Sequence, residues 1–98
     1  MAKACRKIAR KYVIIGRVQG VGFRYFAERW ASQLGVTGYV KNLWDESVEV
    51  YAIGDAATLE EFKRRLAEGP RSACVTSVQE SDEAVDNSYN RFEIQDMW

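Results

Sequence analysis

The stretch GRVQGVGFR, residues 16–24, decides how the rest of the chain is read. Before it the sequence is β-branched and aromatic. After it the apolar residues fall into a helical period. Gly16, Gly20 and Gly22 separate the two patterns, and Arg24 closes the stretch with a fixed charge. A strand that passes through glycines straight into a helix is a good place to hold phosphate. The glycines let successive backbone N–H groups turn toward one point as an anion nest. The helix that follows adds unpaired N–H groups and the positive end of its dipole.

Toward the N-terminus, Ile8, Tyr12, Val13, Ile14, Ile15 and Val18 predict a strand over residues 8–18. It is apolar on both faces at its centre, which marks an inner strand. Toward the C-terminus, Phe26, Ala27, Trp30, Ala31 and Leu34 form one stripe of a helix from Phe23 to Leu34, and Trp30 is assigned to the core. Glu28, Arg29, Ser32 and Gln33 lie opposite, and Gly35 supplies a C-terminal stop.

A second strand is predicted from Val36 to Asn42, and a third from Ser47 to Ile53 across the turn LWDES. In the third, Val48, Val50 and Ala52 point inward and Glu49, Tyr51 and Ile53 outward. Thr58-Leu-Glu-Glu61 reads as a capping box for a second helix, with Asp55 as a competing N-cap. Leu59, Phe62 and Leu66 form its buried stripe, and the pairs Glu60–Arg64 and Glu61–Arg65 support it. Gly69-Pro70 ends it. A weaker strand is expected over residues 73–81, a loop over 82–87 and a short strand over 91–95.

The order β-α-β-β-α-β-β is built most simply as an α+β, ferredoxin-like split β-α-β sandwich: βαββαβ plus a short C-terminal strand. Its sheet is antiparallel-dominated and both helices cover one face. Residues 1–98 are read as a single domain, large enough for one core without staples.

Charge gives little direction. Lysine plus arginine and aspartate plus glutamate each number 14, so there is no general case for nucleic acid or membrane. The distribution is uneven. Lys3, Arg6, Lys7, Arg10, Lys11 and Arg17 crowd the start, while Glu80, Asp82, Glu83, Asp86, Glu93 and Asp96 crowd the end against Arg91 alone. One reading is a positive field that attracts a small anion. The other, favoured because charge runs usually form solvated surface, is that the two ends neutralise each other in the fold.

The chain has no histidine, which removes a histidine base, histidine metal ligands and a phosphohistidine. Cys5 and Cys74 match no zinc spacing. They would begin strands one and four, and if those strands are antiparallel neighbours the two starts lie at opposite ends and cannot bridge. The apolar run YVII is too short for a secretory signal, so a cytoplasmic protein with free thiols is expected.

Other phosphate motifs fail at the glycine loop. A P-loop needs a lysine that this loop lacks. The dinucleotide pattern would start at Gly20, but Tyr25 holds its third glycine position. A phosphocysteine enzyme would need cysteine where Val18 stands. The loop can hold a phosphate and supplies no nucleophile. The crossover brings one more group to it. The second strand runs in the same direction as the first, so its last residue, Asn42, arrives at the loop's edge. An amide there is no strong base, but it can hydrogen-bond and orient a water.

GRVQGVGFR, with Asn42 in GYVKNLWDESVEV eighteen residues beyond Arg24, resembles the acylphosphatase family. The resemblance covers nearly the whole chain, including GDAATLEEFKRRLAEGP and the closing RFEI. It implies hydrolysis of the carboxyl–phosphate bond of small acyl phosphates, giving a carboxylate and inorganic phosphate. Matched residue by residue, Arg24 binds the phosphate and Asn42 orients the attacking water. The backbone amides of Gln19, Gly20, Val21, Gly22 and Phe23 complete the cradle. No cofactor, metal or phosphoenzyme is implied. The expected partner is the small-molecule substrate alone, with no nucleic acid, no membrane and a monomeric chain. One departure stands out: the family's turn after the asparagine commonly has Asp-Gly, where this chain has Asp45-Glu46. A side chain is penalised there if the turn needs a positive φ.

Two other classes share parts of this reading. RNA-recognition domains have the same βαββαβ order, but they display aromatics on strand three in a fixed pattern. Here SVEVYAI offers only Tyr51 outward. A non-catalytic regulator could use the same cradle to hold an acyl phosphate. Trp44, in the hairpin turn, is read as a surface aromatic or as a rim residue near the acyl end of a substrate.

Overall fold

The structure is a computed structural model that describes residues 6–95. Its elements are β1 (Ile8–Arg17), α1 (Phe23–Leu34), β2 (Thr37–Asn42), β3 (Val48–Gly54), α2 (Ala56–Glu68), β4 (Cys74–Glu83) and β5 (Phe92–Gln95). The five strands form one sheet in the order β4-β1-β3-β2-β5. β1 pairs antiparallel with both β3 and β4, and β2 pairs antiparallel with β3. Among the described residues only β2 and β5 pair in parallel. This is the expected ferredoxin-like α+β arrangement, with β1 in the interior. β4 continues two residues past the predicted end, to Glu83. Among the described residues no helix is long and apolar enough to cross a membrane.

Alternation sorts the sheet into two faces. Tyr12 and Ile14 of β1, Val40 of β2, and Val48, Val50 and Ala52 of β3 are buried on one of them. Ala27 and Ala31 of α1 and Leu59, Phe62 and Leu66 of α2 join them in the same cluster, so both helices cover this face. Phe62 meets Phe92 edge to face, with ring centroids 5.7 Å apart. Each large apolar side chain fully buried here contributes about 1.5–3 kcal/mol. Trp30 reaches this cluster only from the rim, partly buried, with the Arg65 guanidinium 4.4 Å from its ring centroid.

The other face is not left to water. Tyr51 and Ile53, predicted to point outward, do leave the helix side, yet they are buried with Ala9. Tyr39, Val85 and Tyr89 pack over them. The Tyr51 hydroxyl donates to Ala84 O at 2.5 Å and accepts the Asp86 N–H at 2.9 Å. The segment after β4 is thereby folded back as a cover.

At the start of α2, Asp55 prevails over Thr58. Its Oδ1 accepts the Thr58 N–H at 2.8 Å, and its Oδ2 accepts the Thr58 hydroxyl at 3.1 Å. Thr58 is therefore a residue of the first turn and not the cap. Asp55 is extended (φ −80°, ψ 164°), the backbone an N-cap requires. These bonds hold the Asp55 carboxyl below its ordinary range. Glu61 pairs with Arg64 and Arg65 as well, but Glu60 reaches across to Arg10 on β1 at 2.9 Å instead of pairing with Arg64.

That cross-link belongs to a wider pattern. Arg10 also lies 3.0 Å from Glu80, and Lys11 3.7 Å from Glu83, both on β4. Antiparallel pairing of β1 with β4 thus sets basic residues of the start against acidic residues of the end, which is the neutralising arrangement. Lys3, Cys5 and Asp96 lie outside the described residues. Cys74 is exposed and is a free thiol.

Candidate active site

The site is built where β1 ends. The register of β1 against β4 shifts between Ile15 and Gly16, a bulge that re-aims the chain just before the loop. Gly20 and Gly22 then take φ values of 75° and 80°. A Cβ at either would meet nothing within 4 Å, so the need for glycine there is conformational and not steric. Positive φ at alternate residues is the backbone geometry that turns successive N–H groups to one side.

Gly22 is also the N-cap of α1, and it makes no side-chain cap hydrogen bond. The first turn carries no acidic residue. The first bond back along the helix is from Phe26 N–H to Gly22 O at 3.0 Å. The first-turn N–H groups of a helix precede its own ladder and point out of its N-terminus. The positive end of the helix dipole therefore faces the loop.

Asn42 reaches the same place through the sheet. It pairs with Val48 on β3, and Val48 pairs with Ile14 on β1. Ile14 and Val48 are fully buried beneath the helices. Asn42 continues that row on the helix-facing side, two residues beyond Val40. Core alternation puts an amide, in place of a hydrocarbon, at the end of the row beside α1.

The result is a cavity of about 80 Å³ lined by Val18, Gly20, Gly22, Phe23, Arg24, Tyr25 and Asn42. The enclosed part suits a small group such as a phosphoryl, and the remainder of a larger ligand must project outward. Among the predicted site residues, Gly20, Gly22, Phe23, Arg24 and Asn42 are brought together here. Gln19 and Val21 do not line the cavity. Val21 packs against the core, and the Gln19 side chain leaves for the β2–β3 hairpin. Tyr25 is a lining residue that sequence reading did not place in the site. Its position in the first turn, one residue after Arg24, was the available signal. Tyr25 and Trp44 are the exposed large hydrophobic side chains of the described residues.

The hairpin after Asn42 has its own constraints. Glu46 has φ 74°, the only positive value at a non-glycine among the described residues. The expected penalty in the Asp45-Glu46 turn is therefore present. Asp45 counters it locally, accepting the Ser47 N–H at 3.1 Å and the Ser47 hydroxyl at 2.5 Å. Those bonds hold the Asp45 carboxyl below its usual range.

Larger depressions lie elsewhere, such as one of about 440 Å³ along the outer face of α2. It is lined by Glu60, Glu61, Lys63 and Arg64 with Ala57 and Ala67, side chains of a solvated helix surface with no converging backbone donors. Among the described residues no group of three His, Cys, Asp or Glu is placed to hold a metal ion.

A glycine loop opening a helix on a ferredoxin-like sheet, with an arginine and an asparagine on one small cavity, defines the class: an α+β domain whose site lies at the N-terminus of its first helix. Comparison with known proteins makes the class specific. The acylphosphatase family model matches residues 10–94. An acylphosphatase of Solibacter usitatus is 49% identical over 86 residues, covering 88% of each chain. One from Archaeoglobus fulgidus is 45% identical over 87 residues, covering 89% of this chain and 97% of that one. The crystal structure of an acylphosphatase from Bacillus subtilis superposes with a TM-score of 0.85 at 33% identity, over 90% of this chain and 98% of the other. The chain belongs to the acylphosphatase family, and as an enzyme it is a hydrolase of the acylphosphatase kind.

Proposed function

We propose that this chain hydrolyses the carboxyl–phosphate bond of small acyl phosphates without a metal ion. The observation that carries this reading is the meeting of Arg24 and Asn42 on one cavity bounded by Gly20 and Gly22. The phosphoryl group sits in the loop, its oxygens taking hydrogen bonds from the backbone amides of the lining residues Gly20, Gly22 and Phe23. Arg24 makes paired bonds to two of those oxygens. Asn42 holds a water in line with the bond to the acyl oxygen. The water oxygen bonds to phosphorus as the bond from phosphorus to the carboxylate oxygen breaks. The carboxylate leaves with that electron pair, and the water proton passes to a phosphate oxygen. A carboxylate is a good leaving group, so positioning and charge stabilisation over the equatorial oxygens suffice. We read the chain as a cytoplasmic monomer acting on a small molecule, with neither nucleic acid nor membrane as partner.

The experiment is phosphate release from acetyl phosphate and from benzoyl phosphate with a chelator present. Turnover under those conditions is expected. Its absence would leave a non-catalytic phosphate binder, and turnover restored only by Mg²⁺ would overturn the metal-free mechanism. Arg24→Ala is expected to slow turnover by about 10²–10³, the scale of losing one transition-state donor. Asn42→Ala is expected to slow turnover while inorganic phosphate still inhibits at a similar concentration.

A further inference from the structure

Gln19 was expected to contribute a backbone amide, but its side chain does something separate. Its Nε2 donates to Leu43 O at 2.9 Å and to Ser47 O at 2.9 Å. Both partners are carbonyls, which accept only, so the side-chain nitrogen and not the oxygen must face them. Both protons of the amide are thereby used. Leu43 and Ser47 face each other at the neck of the β2–β3 hairpin, where Leu43 N–H already donates to Ser47 O at 2.9 Å. The neck is closed without Gln19. What the side chain adds is a two-point tie between the phosphate loop and the hairpin.

Leu43 follows Asn42 directly. A carbonyl fixed at Leu43 and another at Ser47 set where the end of β2 stands relative to the loop. The sheet alone fixes Asn42 along the strand, but the loop belongs to the β1–α1 connection and has no ladder bond to β2. We propose that the Gln19 side chain is a positioning residue that sets Asn42 against the phosphate cradle. This rests on the assignment of water orientation to Asn42. Displacing a positioned group by about 1 Å can cost on the order of 10²-fold in rate, so a tie of this kind acts on turnover more than on substrate capture.

The test is a double-mutant cycle on acetyl phosphate hydrolysis, with inhibition by inorganic phosphate measured alongside. Gln19→Met keeps the length and bulk of the side chain and removes both donors. Gln19→Ala removes the chain, and thermal unfolding followed by circular dichroism shows whether each variant is folded at the assay temperature. Gln19→Met is expected to lower kcat by about tenfold or more. KM and the phosphate inhibition constant are expected to stay near the parent values. In the Asn42→Ala background the same substitution is expected to cost nothing further. An equal loss in both backgrounds would show that Gln19 acts independently of Asn42 and would overturn the proposal alone. A loss confined to phosphate affinity would overturn it too, by placing Gln19 in the cradle. If Asn42→Ala turns over like the parent, the water-orienting assignment fails first, and the positioning role fails with it.

Discussion

Arg24, in the first turn of α1, and Asn42, the last residue of β2, line the same small cavity. They come from different elements and meet because the crossover returns β2 in the direction of β1. Among the described residues no carboxylate lines it, and the chain contains no histidine. A pH–rate profile reports essential acids and bases, and here the proposed chemistry names none on the protein. At saturating acetyl phosphate, kcat is therefore expected to stay level between about pH 5 and 8. An inflection in that window that disappears on replacing a nearby carboxylate would identify a protein base and refute the substrate-assisted proton transfer.

Glu46 offers a stability gain. It is held at φ 74°, where an L side chain crowds the following carbonyl at a cost of about 1–2 kcal/mol. Glycine removes that cost and gives back about 0.5–1 kcal/mol in backbone entropy. Glu46→Gly is expected to stabilise the fold by roughly 0.5–1 kcal/mol, a rise in Tm of about 2–8 °C for a domain of this size. Turnover should not change, since glycine adopts the same turn. A lower Tm in a calorimetric scan would show that the turn relaxes differently.

Acid stability follows from five carboxyls. Asp45, Asp55, Glu61, Glu80 and Asp86 are all held below their ordinary values, chiefly by hydrogen bonds from Ser47, Thr58, Arg64, Lys63 and Ser88 in turn. A carboxyl more acidic when folded stabilises the fold above its unfolded pKa, and that stability is lost as pH falls through the folded value. The unfolded values are near 3.8 for Asp and 4.5 for Glu. Tm is expected to be level down to about pH 5 and to fall below it. Asp55→Asn keeps a helix cap without its charge and should flatten part of the decline. A Tm that is the same at pH 6 and pH 3 would contradict this account.

Tyr51 carries the cover on the far face of the sheet. Tyr51→Phe leaves Ala84 O and Asp86 N–H without the hydroxyl that joins them, at a cost of about 1–3 kcal/mol where water cannot replace it. Amide exchange at Asp86 should quicken, while hydrolysis at the opposite face is unaffected. Unchanged exchange would mean that ring packing with Tyr39 and Tyr89 holds the segment by itself.

Much of this was legible in the chain because it depends on neighbours in sequence. The period of Phe26, Ala27, Trp30, Ala31 and Leu34 is a property of twelve consecutive residues, and α1 spans Phe23–Leu34. The parity of Val40 and Asn42 follows from strand geometry alone. The penalty at Glu46 followed from the family's glycine at that place. Cap choice was harder, since Asp55 and Thr58 both carry the right chemistry. The extended backbone at Asp55 decided it, with Thr58 supplying the N–H to be capped. Tyr51 and Ile53 were correctly placed on the second face, but period 2 says which side a residue takes and not what covers it.

The sequence by itself determined the element order, the glycine loop with its arginine and the absence of a histidine or cysteine chemistry at that loop. These are local matters of composition, period and backbone freedom. Only the tertiary structure decided that Gln19 spends its side chain on Leu43 and Ser47, that Glu60 leaves Arg64 for Arg10, and that Val85 and Tyr89 cover the open face. Each is a choice among partners of similar chemistry tens of residues apart. Local propensity is indifferent among them, and the packing of the whole sheet selects one.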